Sequence, residues 1–280
     1  MVIGGTNKLV SAAATRFSEK ELNQYESALL LSAGFFCVAL LRSDDRTLSY
    51  LAYSGSTDFA QAEANWADLP DFFNQIPFPL HQTRMVRAAV CGGKSMLVPE
   101  FLCDTQKRTA LFDGNFGPQT LAPESIAVNA EMQLLYLLPA HALEAVRQAA
   151  PSAETLPLEY FFLTKSSKSP NGSWLQCHLS SGQLLLVARK ADQIVLVNKQ
   201  SVRTEHDALY HTCNTALRLG FSLHDTEVRL SGTFNLAGDY FKHLSRYFGK
   251  VVADNGHPGT PVDAAFADIK MHYFSALTYL

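Results

Sequence analysis

The sequence predicts an α/β fold built from two related lobes. Three observations lead to this prediction: two stretches contain three short strands joined by tight turns, apolar residues take helical spacing after each stretch, and a segment rich in Ser, Lys, Pro and Gly separates the halves. With 280 residues, of which 47% are apolar, the chain is long and apolar enough for two medium-sized domains.

The first three-strand stretch lies in the N-terminal half. We predict strands over 28–31, 35–41 and 47–53, with Ser32-Ala33-Gly34 as the first turn and the polar residues 42–46 as the second. Turns this short join antiparallel neighbours, and glycine accommodates the positive φ that such turns need. The stretch is therefore predicted to be an antiparallel meander.

The second stretch repeats this pattern in the C-terminal half. Strands are predicted over 174–179, 183–189 and 194–198, with Ser180-Ser181-Gly182 as the first turn. Aligning Gly34 with Gly182 gives an offset of 182 − 34 = 148 residues and pairs Ser32 with Ser180. We interpret the match as an internal duplication. The alternative is that two unrelated meanders look alike by chance.

Helices and strands alternate through the rest of the second half. Thr204 is predicted to cap a helix that ends at Gly220, and Asn235 a helix that ends at Gly249. The residues predicted to face inward are Leu209, Cys213, Ala216 and Leu217 in the first helix and Leu236, Tyr240, Leu244 and Tyr247 in the second. A strand over 227–231 lies between the two helices, a strand over 250–253 follows the second helix, and residues 266–280 keep helical spacing. This order, β-β-β-α-β-α-β-α, is that of a ribonuclease-H-like unit.

The first half follows the same order less regularly. The predicted elements are a helix over 58–75 that contains Pro70, strands over 84–90 and 95–98, a helix over 101–112, a strand over 134–138 and a helix over 140–149. The segment 165–173 is the most linker-like. We therefore assign residues 1–168 to the first lobe, with an N-terminal extension, and 169–280 to the second. Each lobe is a mixed sheet with a three-strand antiparallel meander and flanking helices, and two such lobes in tandem form an actin-like body with a cleft between them.

Charge and composition exclude several kinds of partner. The net charge is −3, with 23 basic and 26 acidic residues and no basic cluster, which argues against nucleic-acid binding. The five cysteines are scattered and odd in number, which indicates reduced thiols and no zinc site. No stretch is apolar enough to span a membrane, and no signal peptide is evident, so a cytoplasmic location is expected.

Six short segments resemble a family found mainly in the Bacteroidetes, described as domain of unknown function 3822. They are residues 31–36, 96–102, 134–139, 195–198, 207–211 and 230–232. The resemblance extends over most of the chain and brings no known activity with it. Its implied fold is similar to that of actin-like pilus-assembly and secretion proteins.

An actin-like fold implies a place for Mg-ATP between the lobes. Actin-like ATPases hold it with an Asp-x-Gly turn in each first hairpin, where backbone N–H groups bind phosphate and the aspartate organises the metal's water shell. Here Ser32 and Ser180 stand at the aspartate positions, whereas Gly34 and Gly182 are kept. The adenosine-side loop, Ser231-Gly232, has one glycine where relatives usually have two. The sequence therefore predicts a degenerate nucleotide cleft lined by Ser32, Gly34, Ser180, Gly182, Ser231 and Gly232. We predict no catalytic residue, no metal ligand and no cofactor.

Two enzyme hypotheses remain as alternatives. A nucleotide-binding ATPase or kinase with atypical phosphate loops would use ATP-Mg and take its metal ligand from Asp192, Asp207 or Asp239. Asp44 and Asp45 lie on the opposite turn, roughly 20 Å away by strand rise. A nuclease would need carboxylates at the centre of the first strand of each lobe, where the sequence has Leu29, Leu31, Leu175 and Cys177.

The remaining motifs favour structural roles. Gly92-Gly93-Lys94-Ser95 lacks the first glycine of a phosphate-binding loop and is predicted to be a hairpin turn. The pairs His206 with His211 and His141 with Glu144 are predicted to be surface or capping residues. Phe72-Phe73 could form an exposed apolar patch. We therefore expect a non-catalytic scaffold that binds another protein, and the sequence leaves a homodimer open.

Overall fold

The computed structural model describes residues 9–55, 66–164, 172–191, 193–256 and 261–280. The strands are Val10–Ala13 (β1), Tyr25–Ser32 (β2), Phe35–Arg42 (β3), Leu48–Gly55 (β4), Met85–Cys91 (β5), Lys94–Pro99 (β6), Glu124–Ala127 (β7), Met132–Leu137 (β8), Glu154–Pro157 (β9), Ser173–Ser180 (β10), Gln183–Lys190 (β11), Gln193–Ser201 (β12), Glu227–Gly232 (β13) and Lys250–Ala253 (β14). The α-helices are Leu69–Gln75 (α1), Thr105–Phe116 (α2), Ala140–Ala149 (α3), Leu158–Thr164 (α4), Glu205–Arg218 (α5) and Asp239–Tyr247 (α6).

The two predicted meanders each form the start of a mixed sheet. In the first sheet, of order β1-β4-β3-β2-β5-β9, strands β2 to β4 are antiparallel and β5 and β9 run parallel to β2. In the second sheet, of order β12-β11-β10-β13-β14, strands β10 to β12 are antiparallel and β13 and β14 run parallel to β10. The α/β class and the duplicated lobes are confirmed.

A third, smaller sheet is inserted after β5. It has the order β6-β8-β7, and α2 lies in the chain between β6 and β7. The prediction of a hairpin turn at Gly92-Gly93-Lys94-Ser95 is wrong, because β5 and β6 belong to different sheets. A Cβ atom on Gly93 would lie 2.5 Å from the Leu137 carbonyl oxygen, so the glycine allows the bend to pass close to β8.

Helix α5 begins where predicted, and three of the four residues predicted to face inward, Leu209, Cys213 and Ala216, belong to the second hydrophobic cluster or pack against it. Thr204 and Asp207 form a capping box, which fixes the start of the helix. Its buried residues are Ala208, Thr212, Thr215 and Ala216. Leu217, predicted to be buried, is 60% exposed. The Thr212 hydroxyl lies 2.9 Å from the Tyr240 hydroxyl, so a buried polar contact joins α5 and α6.

Helix α6 starts later than predicted. Gly238 is its N-cap, and the Asn235 side chain instead accepts a hydrogen bond from the Ala237 N–H in the loop before it. Tyr240 and Leu244 are buried as predicted, whereas Leu236, which precedes the helix, and Tyr247, which ends it, are 46% and 54% exposed. A Cβ on Gly238 would lie 2.7 Å from Glu205 Oε1, so the glycine lets the start of α6 pack against α5.

The predicted C-terminal helix is absent from the described residues. The chain forms short 3-10 turns over Ala264–Phe266, Met271–Tyr273 and Ser275–Tyr279 instead. Residues 272–280 are all buried, because β2, β13 and α4 surround them. Helical spacing indicates burial on one face, and it does not predict a segment that is enclosed on all sides.

Three further predictions have different outcomes. The prediction of an exposed patch at Phe72-Phe73 is wrong, because Phe72 is 1% exposed and packs against Phe36, with ring centroids 5.8 Å apart.

The early part of the predicted helix over 58–75 and most of the linker segment lie outside the described residues. The lobe boundary at residue 168 therefore stays a prediction. Within the described chain, no helix is long and apolar enough to cross a membrane.

Candidate site between the lobes

The two serine turns meet where the lobes face each other. Ser32 ends β2 and Ser180 ends β10, and their hydroxyl oxygens are 2.6 Å apart. The Ser181 hydroxyl lies 3.2 Å from the same Ser32 oxygen, which itself donates to the Phe35 carbonyl at 3.2 Å. One donor and two acceptor positions on the Ser32 hydroxyl are thereby filled. The predicted phosphate-binding positions are in direct contact with each other.

The turns keep the predicted spacing but differ in backbone conformation. Gly34 and Gly182 have φ of 86° and 71°. Ser181 also has a positive φ, 49°, which together with Gly182 matches a type I′ hairpin, whereas Ala33 keeps a negative φ. Ser32 and Ser180 are only 2% and 4% exposed. Ser32 and Ser180 are therefore buried where the turns meet, whereas Gly34, Ser181 and Gly182 are partly exposed.

The third predicted loop is tightly packed as well. Ser231 lies on β13, where its hydroxyl is 2.9 Å from His178 Nδ1 and accepts from Gln176 Nε2 at 3.2 Å. Gly232 has a φ of 88°, and a Cβ there would lie 1.9 Å from the Leu179 carbonyl oxygen. The glycine is required by the close approach of β10, so it gives no evidence of an adenosine site.

The C-terminal strap, defined as residues 271–280, fills the space beside this loop. His272 Nε2 lies 3.2 Å from the Phe234 carbonyl oxygen, and the two rings are 4.4 Å apart. The Tyr279 hydroxyl donates to the Asp254 carboxylate, with 3.0 Å to Oδ1. On the first lobe, the Phe274 ring packs 6.1 Å from that of Phe35. The strap therefore contacts both lobes.

Asp254 is a buried group that the sequence interpretation missed, and it shares its partner Gln176 with Ser231 of the third loop. It is 7% exposed and accepts hydrogen bonds from Tyr279, from Gln176 Nε2 at 3.0 Å and from the Gly256 N–H at 3.0 Å. A signal was present, because Asp254 follows directly after a parallel strand, where polar groups of α/β sites collect.

Glu159 and His178 are two further buried groups. Glu159 is fully buried on α4 and lies 2.8 Å from Lys199 Nζ on β12, an ion pair that joins the lobes. Its position inside the apolar run of α4 was the signal in the sequence. Burial lowers the pKa of His178 to about 3, so its ring is neutral at physiological pH.

The buried acidic and imidazole groups do not converge on one point. In the described parts of the chain, no cluster of three or more His, Cys, Asp or Glu residues could hold a metal ion. Asp207 accepts from the Arg203 and Thr204 N–H groups, and Asp239 is exposed at the start of α6. Asp192 lies outside the described residues. Leu29, Leu31, Leu175 and Cys177 are all buried in the two cores.

The predicted histidines pack against other aromatic rings, and the cysteines are free thiols. His206 lies with its ring 5.8 Å from that of His243, and His211 lies against Tyr210. All five cysteines are unpaired. Burial raises the pKa of Cys91 and of Cys177 to about 12, so both are thiols rather than reactive thiolates.

Comparison with known proteins identifies the family and the fold. The sequence profile of the family described as "Protein of unknown function (DUF3822)" matches residues 14–251. A search of the curated proteins finds no significant match. A Bacteroides thetaiotaomicron protein with actin-like ATPase fold and unknown function is similar in structure, with a TM-score of 0.72, 14% identity, and coverage of 94% of this chain and 98% of that one.

A second solved structure is the PilM-PilN type IV pilus biogenesis complex. The matched chain has a TM-score of 0.63 and 12% identity, with coverage of 91% of this chain and 97% of that one. Identities this low show the fold alone, whereas the family profile covers most of the sequence. The chain belongs to the DUF3822 family, and it has the actin-like ATPase fold.

Proposed function

We propose that this protein is a non-catalytic scaffold of the actin-like fold, whose inter-lobe cleft holds no nucleotide. The contact of 2.6 Å between the Ser32 and Ser180 hydroxyls carries the proposal. A phosphate bound by both turns must lie between them, and two hydroxyls at hydrogen-bond distance leave no room for it. Neither serine supplies the charge that a magnesium ion favours.

The surroundings of the third loop support the same conclusion. The strap covers the Ser231-Gly232 loop through His272 and Tyr279, so aromatic side chains of the protein itself occupy the space beside it. Ser231 is fully buried and already bonded to two β10 side chains. A nucleoside would have to displace the strap and break these contacts.

The rival function is a nucleotide-binding ATPase or kinase. It needs a carboxylate that can reach the serine turns, and Asp207 is engaged in the capping box of α5. Asp254 is nearer to the predicted adenosine loop, but its oxygens already accept from Tyr279, Gln176 and Gly256. The described carboxylates therefore favour the scaffold.

The partner is proposed to be another protein. The similar PilM chain was solved in a complex with PilN, which makes protein binding a use of this fold that can be proposed here. We also propose a cytoplasmic location, because Cys37, Cys91 and Cys177 are buried free thiols, as expected in a reducing compartment.

Thermal unfolding with and without Mg-ATP tests the proposal. A ligand at about 100 times its Kd stabilises the folded state by about 2.7 kcal/mol, which shifts the unfolding temperature visibly. We expect no shift with millimolar Mg-ATP, Mg-ADP or Mg-GTP relative to magnesium alone. A saturable shift with any of the three would contradict the scaffold function and favour the ATPase.

A further inference from the structure

Two open sheet edges face each other across the lobes. Strand β12 ends the five-stranded sheet and pairs only with β11 in the parts of the chain that the structure describes. Strand β6 is likewise the outer strand of the three-stranded sheet. The edges approach at one end, where Lys199 Nζ donates to the Gly93 carbonyl at 2.8 Å. An uncovered strand edge presents backbone groups that pair readily with another chain.

A cavity of about 350 Å³ lies between these edges. It is lined by consecutive residues on both sides, 92–95 before and in β6 and 197–201 in β12. Neighbouring side chains of a strand point to opposite faces of the sheet, so a cavity on one face would touch alternate residues only. Contact with five residues in a row is therefore expected of a cavity along the backbone edge of β12, and Gln183 of β11 and Phe116 of α2 complete its lining. We call this cavity the edge slot.

The pairing with β11 shows which backbone groups face the edge slot. The Val202 N–H donates to the Gly182 carbonyl at 2.8 Å, and in an antiparallel ladder every second residue makes such bonds. With Leu184 opposite Gln200 and Leu186 opposite Asn198, the bonded residues of β12 are 198 and 200. Residues 197, 199 and 201 therefore turn their N–H and C=O groups away from β11, towards the slot.

The charged side chains that line the edge slot are two lysines. Lys94 and Lys199 line it, and no carboxylate is among its described lining residues. Lys199 uses its ammonium for Glu159 and the Gly93 carbonyl, which leaves one of three protons. Lys94 is exposed and bonded to Gln119 Oε1 at 2.8 Å, so it also keeps donors for a ligand. Because the buried Glu159 carboxylate balances the charge of Lys199, Lys94 supplies the net positive charge that would attract a negatively charged ligand.

We propose that the edge slot binds an extended acidic peptide segment of a partner protein, which adds to β12 as a further strand. The alternating N–H and C=O groups match a peptide backbone, whereas a small anion would use the donors only. Five residues of β12 offer about 17 Å of edge, enough for a short segment. The inference rests on the proposed scaffold function and names its docking site and the chemistry of its partner.

Fluorescence anisotropy with defined peptides tests the edge slot. The probe is a fluorescein-labelled seven-residue peptide that alternates glutamate and valine, and its twins replace glutamate by lysine or carry N-methyl groups on alternate residues. The full-length protein should bind the acidic peptide at least tenfold more tightly than the lysine peptide or the N-methylated peptide. The variant Ser201→Pro, which removes an outward N–H on an edge strand, should weaken binding at least tenfold, and Ser201→Ala less than twofold.

The charge requirement has its own matched pair. Lys94→Glu should weaken binding of the acidic peptide at least tenfold. Lys107→Glu on α2, which is outside the slot, should leave this binding unchanged. No binding of the acidic peptide at millimolar concentration, or equal binding by Ser201→Pro and Ser201→Ala, overturns the proposal. Displacement of the peptide by inorganic phosphate alone, with no effect of Ser201→Pro, would make the slot an anion site instead. If the acidic peptide does not bind and Mg-ATP does not shift the unfolding temperature, the edge-slot proposal is wrong but the scaffold function is not contradicted.

Discussion

At the residue scale, close contacts explain why particular side chains stand in the cleft. The Ser32 hydroxyl has hydrogen-bond partners in Phe35, Ser180 and Ser181, so the serines of the two turns form a packed contact. Gly232 is kept because β10 leaves no space for a Cβ atom. Glycine in such a loop can indicate phosphate binding in other proteins, whereas here Gly232 is needed for close packing against β10.

Gly232→Ala should therefore destabilise the protein by about 3 kcal/mol or more. The added Cβ would lie 1.9 Å from the Leu179 carbonyl oxygen, and the φ of 88° is unfavourable for alanine. Gly114→Ala in α2 is the control, because nothing lies within 4 Å of its Cβ and alanine favours a helix by about 0.5–1 kcal/mol. Urea unfolding measures both. An unchanged free energy of unfolding for Gly232→Ala would contradict the close approach of β10 to this loop.

The neutral, buried His178 predicts a loss of stability in acid. Its folded pKa of about 3 lies below the ordinary 6.5, so between these values the unfolded chain takes up a proton that the folded chain does not. The free energy of unfolding should fall by up to about 1.4 kcal/mol per pH unit as pH drops below 6.5. His178→Gln should flatten this slope, and His224→Gln, at a 91% exposed side chain, should not. Identical slopes in all three proteins would refute the assignment.

At the element scale, the strap holds the two lobes by different means. On the first lobe it belongs to the largest hydrophobic cluster, with Phe274 against Phe35 and Tyr53. On the second lobe its contacts include hydrogen bonds to Asp254 and to the Phe234 carbonyl. Polar contacts are individually weaker than apolar burial of whole rings, so the second-lobe side is the one expected to open first.

Tyr279→Phe should weaken the second-lobe side of the strap. Removing a buried hydroxyl that donates to a carboxylate costs about 1.5–3 kcal/mol of unfolding free energy. Tyr273→Phe is the matched control in the same strap, because its hydroxyl is bonded to Lys270 at 3.4 Å, a neighbour within three residues, and its loss should cost under about 0.5 kcal/mol. Hydrogen exchange should rise in β13 and β14 for Tyr279→Phe only. Equal exchange in both variants would contradict this role of the strap.

At the scale of the whole molecule, the sequence was sufficient for local patterns and insufficient for contacts between distant segments. The meanders, helix α3 and the serine turns follow from spacing and turn residues, and the structure has them where predicted. The strap was mispredicted because it is enclosed on all sides, and the start of α6 because Asn235 bonds within a loop.

The site was predictable only in part for the same reason. Spacing identified Ser32 and Ser180, but their contact joins residues 148 positions apart and depends on how the lobes close. Glu159 and Lys199 are also far apart in sequence, and neither has a motif that pairs them. Burial and pairing of single charged residues are decided by tertiary packing, which one sequence does not encode as a local pattern.

The contact between Ser32 and Ser180 closes the inter-lobe cleft at the serine turns. The most direct test is a crystal structure of the protein grown with millimolar Mg-ATP. We expect the Ser32 and Ser180 hydroxyls to stay within hydrogen-bond distance and no nucleotide density to lie between the turns. Nucleotide phosphates between Gly34 and Gly182, with the two serines moved apart, would contradict this expectation.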